Sequence, residues 1–444
     1  MKAPAYPKYK ASGVEWLGDI PAHWNLKRLR FVADRSDEKV EVDEDNPIQY
    51  VGMEHVESWT GKLLQLDTEL VPSGVSNRFQ RGDVLFGKLR PYLAKACIPY
   101  FNGLCSSELL VLRARGHDRR YLLYQLLSEG FVSLVDSSTY GAKMPRASWD
   151  FIGACTLPCP DVDEQRAIAD FLDAETAELN TLIAKKRELI EKLKEKRTAL
   201  ISRTVTRGLP PEAARAASLN SHPKLKPSGI EWLGDIPEHW KVVRFGRCAF
   251  FQEGPGLRNW QFMDTGVRVI CVTNITDSGI DFFSYEKFIS EEEYLETYRH
   301  FTVMKGDLLL SSSGNSWGKV AEFQSDEPSI LNTSTIRINC NRARTFSRSF
   351  LKWLLQADST RKQLGVFMTG SCQPNFGPSH LARVLVPLPS PDEQSAIADY
   401  LDQETAKIDR MVEKVETAIE RLQEYRTALI NAAVTGKIDV RAKH

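Results

Sequence analysis

The chain has 444 residues, and its 58 lysines and arginines are balanced by 58 aspartates and glutamates. With 42% hydrophobic and 26% charged residues it has the profile of a soluble globular protein of two or three domains. Zero net charge argues against a nucleic-acid binder that works alone, but leaves room for local basic patches or for a partner that supplies positive surface.

The N-terminal ten residues have no apolar core, so neither a signal peptide nor an anchor is expected there. No apolar run approaches the roughly 18 residues of a membrane span. The eight cysteines form no paired CxxC spacing and no histidine pair completes a zinc pattern, so the thiols point to a reducing cytoplasm.

In chain order, the first recognisable segment is SGVEWLGDIPAHW at 12–24. It returns as SGIEWLGDIPEHW at 228–240, with eleven of thirteen positions identical and an offset of 216. A second block, DEQRAIADFLDAET at 163–176, returns at 392–405 as DEQSAIADYLDQET, with eleven of fourteen positions identical and an offset of 229. RTALI at 197–201 recurs at 426–430. Self-similarity of this kind marks a duplicated unit. The intervening stretches barely resemble each other, and drift alone would erode all segments rather than spare the ends.

The first variable stretch predicts strands at 48–53, 83–89 and 107–112 and a helix over about 119–135. The second predicts strands at 267–275, 307–311 and 330–338 and a helix over about 347–364. Both therefore read as mixed α/β domains. Between these elements lie polar turns that suit DNA. Lys88, Arg90, Tyr92, Lys143 and Arg146 are the candidates in the first domain. Ser312, Asn315, Lys319, Ser371, Gln373 and Asn375 are those in the second. Arg, Lys, Asn and Gln can read base edges, while Ser, Lys and backbone N–H groups suit phosphates. Any one such loop, taken singly, is more often a plain solvated turn.

Each copy closes on a long helix. Asp161 and Ser390 are matched N-caps, each followed three residues later by Glu164 or Glu393 as in a capping box, with Pro391 at the first helical position. Apolar residues then recur on heptads: Ile168, Leu172, Leu179, Leu182, Leu189 and Leu193 in the first helix, and Ile397, Leu401, Ile408, Met411, Val415 and Leu422 in the second. This pattern predicts an antiparallel coiled coil, each helix about 60 Å long at ~1.5 Å per residue, holding the variable domains at its two ends. The expected organisation is a recognition domain at 1–160, a spacer helix at 161–207, a Pro/Ala-rich linker at 208–222, a second recognition domain at 223–389, a second spacer helix at 390–436 and a tail at 437–444.

No active site is evident. Gly314-Asn-Ser-Trp-Gly318-Lys319-Val320 has three residues between its glycines where a phosphate loop has four, and Val320 where Mg²⁺ needs Ser or Thr. Gln373-Pro374-Asn375-Phe376 has the wrong order for an amino-methyltransferase tetrapeptide. His23 and His239, and Trp16, Trp24, Trp232 and Trp240, read as structural anchors.

The repeated SGxEWLGDIPxHW, the variable domain, and the helix start at Pro158-Cys-Pro-Asp-Val-Asp-Glu164-Gln165 and Pro389-Ser-Pro391-Asp-Glu393-Gln394 together resemble the specificity subunit of type I restriction-modification enzymes over essentially the whole chain. The resemblance implies two target-recognition domains, each reading one half of a split double-stranded DNA sequence. It implies paired helices that set the spacer and dock two modification (methyltransferase) subunits, and restriction (motor and nuclease) subunits that join that core. It implies no catalysis and no cofactor in this chain, S-adenosylmethionine, ATP and Mg²⁺ belonging to the partners. A fused nuclease or methyltransferase, a coiled-coil scaffold that never touches DNA, and the specificity subunit of a related two-part system are the competing readings.

Overall fold

The computed structural model of the chain describes residues 4–41, 48–66, 75–141, 143–276, 278–340, 345–368 and 375–443. The fold is mixed α/β, with two long helices, Val162–Arg207 and Pro391–Val434. Two compact units form, Met1–Arg187 with Val415–His444, and Glu188–Lys414, so each contains part of both long helices.

In the first unit, the opening segment folds as a hairpin, Tyr9–Ala11 against Asp19–Pro21, whose tip turns through left-handed Gly13 and Gly18. The repeat at Leu225–Pro227 and Asp235–Pro237 does the same through Gly229 and Gly234 in the second unit. These positive-φ positions explain why both glycines persist in the two copies. Trp24 and Trp240 are buried behind the hairpins, whereas Trp232 is 39% exposed and anchors less than its sequence context suggested.

The variable domains share a topology. A sheet with strands ordered Ala33–Ser36, Leu109–Ala114, Val84–Gly87, Ala96–Cys97 has its counterpart in Ala249–Glu253, Thr335–Cys340, Leu308–Ser311, Val320–Glu322. A second sheet shares three strands: a parallel pair, Tyr50–Val51 with Gly103–Cys105 or Val267–Ile270 with Ser329–Leu331, extended by antiparallel Val75–Phe79 or Thr302–Val303. The fourth strand differs. Lys39–Glu41 joins the Val75–Phe79 edge in the first domain, and Phe288–Ile289 joins the opposite edge in the second.

Several expected elements are shorter or divided. The helix expected over 119–135 is two helices, Arg119–Leu126 and Glu129–Ser137, and the one over 347–364 is also two, Arg348–Gln356 and Asp358–Phe367. The breaks fall at Ser128 and Ala357, both with extended backbone. Apolar periodicity runs across such a corner without marking it. The linker carries a short helix, Pro211–Ala216, started by its proline.

The helix pairing is antiparallel within each unit. In the first, Ile168 and Leu172 share a core with Ile430 and Val434. In the second, Ile201 and Val205 share one with Ile397 and Leu401. The predicted seam is partly corrected. Ile168, Leu172, Ile397, Leu401 and Ile408 are buried, and Leu179, Leu193, Val415 and Leu422 are half-buried. Leu182, Leu189 and Met411, however, are 43%, 44% and 42% exposed, while Ile183, Ile190 and Ile419 are buried. Adjacent apolar pairs such as Leu182-Ile183 sit about 100° apart on a helix, and the seam takes the second member. The same row holds Thr176, Thr405 and Arg426, polar positions that a search for apolar heptads passes over. Both threonine hydroxyls satisfy themselves on the carbonyl four residues back, at 2.6 Å.

This register makes a contrast measurable by urea unfolding. Leu172→Ala is expected to cost about 2–5 kcal/mol, as for a buried leucine, and Leu182→Ala less than about 0.5 kcal/mol, as for a surface site. Equal costs would restore the original register.

Candidate nucleic-acid interface

Two loops converge in each unit, and each rests on a short frame of hydrogen bonds. In the first unit, the turn after strand Val84–Gly87 meets the segment 140–146. Leu89 bridges Arg146, Arg90 N–H donates to the Pro145 carbonyl at 2.7 Å, and Ala147 N–H donates to the Lys88 carbonyl at 3.0 Å. In the second unit, the turn after Leu308–Ser311 meets the segment that begins at Asn375. Ser313 bridges Asn375, and Phe376 N–H donates to the Ser312 carbonyl at 3.2 Å.

The two turns also share backbone conformation. Counted from the end of the preceding strand, Arg90 and Gly314 fall at the same place and both are left-handed, with φ of 49° and 63°. Ala94 and Gly318 match in the same way, with φ of 45° and 78°. A side chain held in this region costs of order 1–3 kcal/mol, and such residues cluster at binding sites. Arg90 keeps that geometry without glycine and projects an exposed guanidinium, whose Nη2 donates weakly to the Lys143 carbonyl at 3.5 Å. Sequence offsets taken from the repeated blocks miss this correspondence, because the loop follows an offset of its own.

The structure therefore brings Lys88, Arg90, Lys143 and Arg146 together, with Tyr92 46% exposed on the same turn. Arg146 is committed to an ion pair, its Nε and Nη2 lying 3.1 Å from the Glu108 carboxylate. A small cleft of about 120 Å³ beside it is lined by Arg35, Lys88, Tyr140 and Trp149. Arg35, which sequence reasoning passed over, sits above the Trp149 ring at 5.6 Å. No periodic signal marks it, since it belongs to a strand remote in sequence.

In the second unit, Asn315 and Asn375 are exposed and Lys319 is half-buried. Ser312 is not available as expected. It is fully buried, and its hydroxyl donates to the Ser334 carbonyl at 2.9 Å, supporting the loop from beneath. Ser371 and Gln373 lie outside the described residues. The glycine-lysine stretch at 314–319 runs into strand Val320–Glu322 and not a helix, so it lacks the helix N-terminus on which a phosphate loop depends. Three rings that sequence reasoning did not single out, Tyr100, Trp260 and Phe283, are 80%, 80% and 86% exposed.

The helix starts hold the opening turns and the domain helices. Asp161 caps the first long helix, accepting from Glu164 N–H at 2.8 Å, and Ser390 forms a reciprocal box with Glu393. The glutamates then bind the opening turns. His23 Nε2 lies 2.9 Å from Glu164, and His239 Nε2 lies 2.8 Å from Glu393, which also accepts from Trp240 Nε1 at 3.0 Å. The matched histidines are structural, and the matched partner that the sequence did not reveal is this glutamate. Gln165 accepts from Asp118 N–H at 2.9 Å and donates to the Pro160 carbonyl. Gln394 accepts from Ser347 N–H at 2.7 Å and donates to the Pro389 carbonyl. Asp118 and Ser347 are themselves the N-caps of Arg119–Leu126 and Arg348–Gln356. The repeated Glu-Gln pair thus ties opening turn, domain and long helix at one point. Among the described residues no cluster of His, Cys, Asp and Glu could hold a metal. Burial pushes the Cys97 and Cys105 thiols up to about 12.

A duplicated α/β unit that keeps its frame and varies its loops is the design of a recognition protein, and the comparisons agree. The family model for the type I restriction modification DNA specificity domain matches residues 237–421. The specificity subunit of the type I restriction enzyme MjaVIII from Methanocaldococcus jannaschii is 27% identical over 346 residues, covering 76% of this chain and 75% of that protein. The EcoDI specificity subunit of Escherichia coli is 29% identical over 156 residues, 34% of each chain. A solved chain from work on the assembly and conformational transition of a type I R-M system shares the fold, with a TM-score of 0.61 at 18% identity, covering 94% of this chain and 98% of that one. The chain is thus similar to type I restriction-modification specificity subunits over about three quarters of its length, and residues 237–421 match the DNA specificity domain itself.

Burial works against ionisation of Glu393, but the donors Trp240, Ser390 and His239 outweigh it and hold its carboxyl below the usual range. A depressed carboxylate contributes stability above its unfolded-state pKa, and that contribution is lost as pH falls through the folded value. Glu393→Gln is therefore expected to cost about 1–3 kcal/mol near neutral pH, with the deficit shrinking in acid. A deficit independent of pH, measured by urea unfolding, would assign the effect to shape alone.

Proposed function

We propose that this chain is the sequence-specificity subunit of a type I restriction-modification complex, and that each of its two domains reads one half of a bipartite DNA target. The observation that carries this reading is the matched pair of converging loops, with one backbone turn bearing Arg90 in the first domain and Gly314-Asn315 in the second. The same support offers different donors to different bases.

In this reading the paired long helices set the unread spacer and dock two modification subunits. The exposed apolar residues support that assignment: Leu182 and Met411 occupy the same position in the two helix copies, and neither is covered within its own unit. Restriction subunits join that core. S-adenosylmethionine, ATP and Mg²⁺ bind to the partners, and this chain recognises without catalysing. Partners also supply the positive surface that a chain of zero net charge lacks. No helix among the described residues is long and apolar enough to cross a membrane, which accords with action on DNA in the cytoplasm.

The test is genome-wide mapping of methylated bases in cells carrying the complex with Arg90→Ala or Asn375→Ala. Loss of a base-reading contact costs about 1–3 kcal/mol and relaxes one position of the site. Each variant is expected to loosen one half of the target and leave the other half intact. An unchanged motif at unchanged occupancy would remove these residues from the reading surface.

A further inference from the structure

The two copies of the helix repeat differ in the partner that faces one arginine. Arg197 and Arg426 are repeat equivalents, each the first residue of RTALI, and Asn180 and Asp409 are equivalents at the same offset of 229. In the second unit, Arg197 Nε donates to the Asp409 carboxylate at 3.0 Å, and its guanidinium lies 5.8 Å from the Trp353 ring centroid. In the first unit, the partner facing Arg426 is the Asn180 amide, whose Oδ1 accepts from Nη1 at 2.7 Å. The carboxylate has become a neutral side chain, yet this arginine is the more deeply buried of the two, at 4% exposure. Its Nε has no hydrogen-bond partner. Tyr124 stands where Trp353 does and uses its hydroxyl on Asp173, away from the arginine.

A buried guanidinium without a counter-charge is costly. Burial lowers the proton affinity of Arg426, Glu57 opposes that from a distance, and Arg187 reinforces it. Glu57 is itself engaged with the Thr60 hydroxyl at 2.9 Å. Arg426 lines an open cleft of about 480 Å³ between the first domain and the two helices, the size of a small-ligand site. Lys62, Lys95 and Arg187 also line it, against Glu54 and Glu57. Four cations face two carboxylates, in a space where the other copy supplies its own aspartate.

We propose that this cleft is a binding site for a carboxylate from outside the chain, received by Arg426 in place of the aspartate that its repeat equivalent keeps. A bound carboxylate would pair with the guanidinium where Arg426 lines the cleft, with Arg187 and the two lysines screening the remaining charge. The carboxylate is carried either by a small organic acid or by an acidic side chain of a bound polypeptide. The site stands on the internal asymmetry alone and does not depend on how the domains read DNA.

Thermal unfolding of the full chain tests it, in citrate or in a capped tetraglutamate peptide, each against chloride of equal ionic strength. A concentration-dependent rise in Tm with either probe is expected. A response to citrate alone assigns a small acid, and a response to the peptide assigns an acidic side chain. Asn180→Asp supplies an internal carboxylate, as in the second unit, so it should raise the basal Tm and abolish the response. Asn180→Ala, which removes the amide without adding charge, should keep the response. No rise with either probe, or a rise that persists undiminished in Asn180→Asp, would overturn the proposal.

Discussion

The fold depends on what happens at the first turn of each long helix. Glu164 and Gln165, and again Glu393 and Gln394, collect three separate pieces of chain: the opening turn through histidine, the cap of a domain helix through its backbone N–H, and the end of the last domain strand through a proline carbonyl. These bonds are made by charged or fully committed groups in partly buried surroundings, where an unmade partner costs more than a made bond gains. Substitution of the glutamine would release two of these pieces together and substitution of the glutamate the third, which is a physical reason for Glu-Gln to stand unchanged in both copies.

The far end of the opposing helix completes the same corner. In the first unit, Gly436 is left-handed, and a Cβ there would fall 2.3 Å from Pro21, while Tyr9 Oη donates to its carbonyl at 3.0 Å. In the second, Gly208 lies against Trp240. Each opening hairpin is therefore sealed by a helix terminus, and the hydrophobic cores that include Trp24 and Trp240 include residues of both long helices. A frame closed in this way tolerates change in the loops above it, because those loops contribute little to what holds the corner together.

How much of this was legible in the sequence depended on the signal each feature leaves. The duplication, the helix caps and the long helices were readable, since identity, capping chemistry and heptads are local patterns. The seam register was readable only to within one residue, because Leu182-Ile183 and Leu189-Ile190 offer apolar side chains on both candidate faces and because Thr176 and Arg426 occupy it as polar residues. The short strands Val75–Phe79 and Gly103–Cys105 were missed, being defined by pairing with distant segments and not by alternation. In the converging loops, Lys88, Arg90, Lys143 and Arg146 were singled out from composition, whereas the burial of Ser312, the engagement of Arg146 by Glu108 and the proximity of Arg35 depend on contacts across tens of residues. The common left-handed turn at Arg90 and Gly314 needed backbone geometry to see, because no residue in it is shared.

The proposed function requires that one repeated frame carry two independent readers. The most direct measurement exchanges residues 30–155 for the corresponding stretch of a type I specificity subunit, leaving the opening turn and both long helices untouched, and maps the methylated bases. The account predicts a target in which one half is new while the other half and the spacer length are retained. A change in both halves, or in neither, would contradict it.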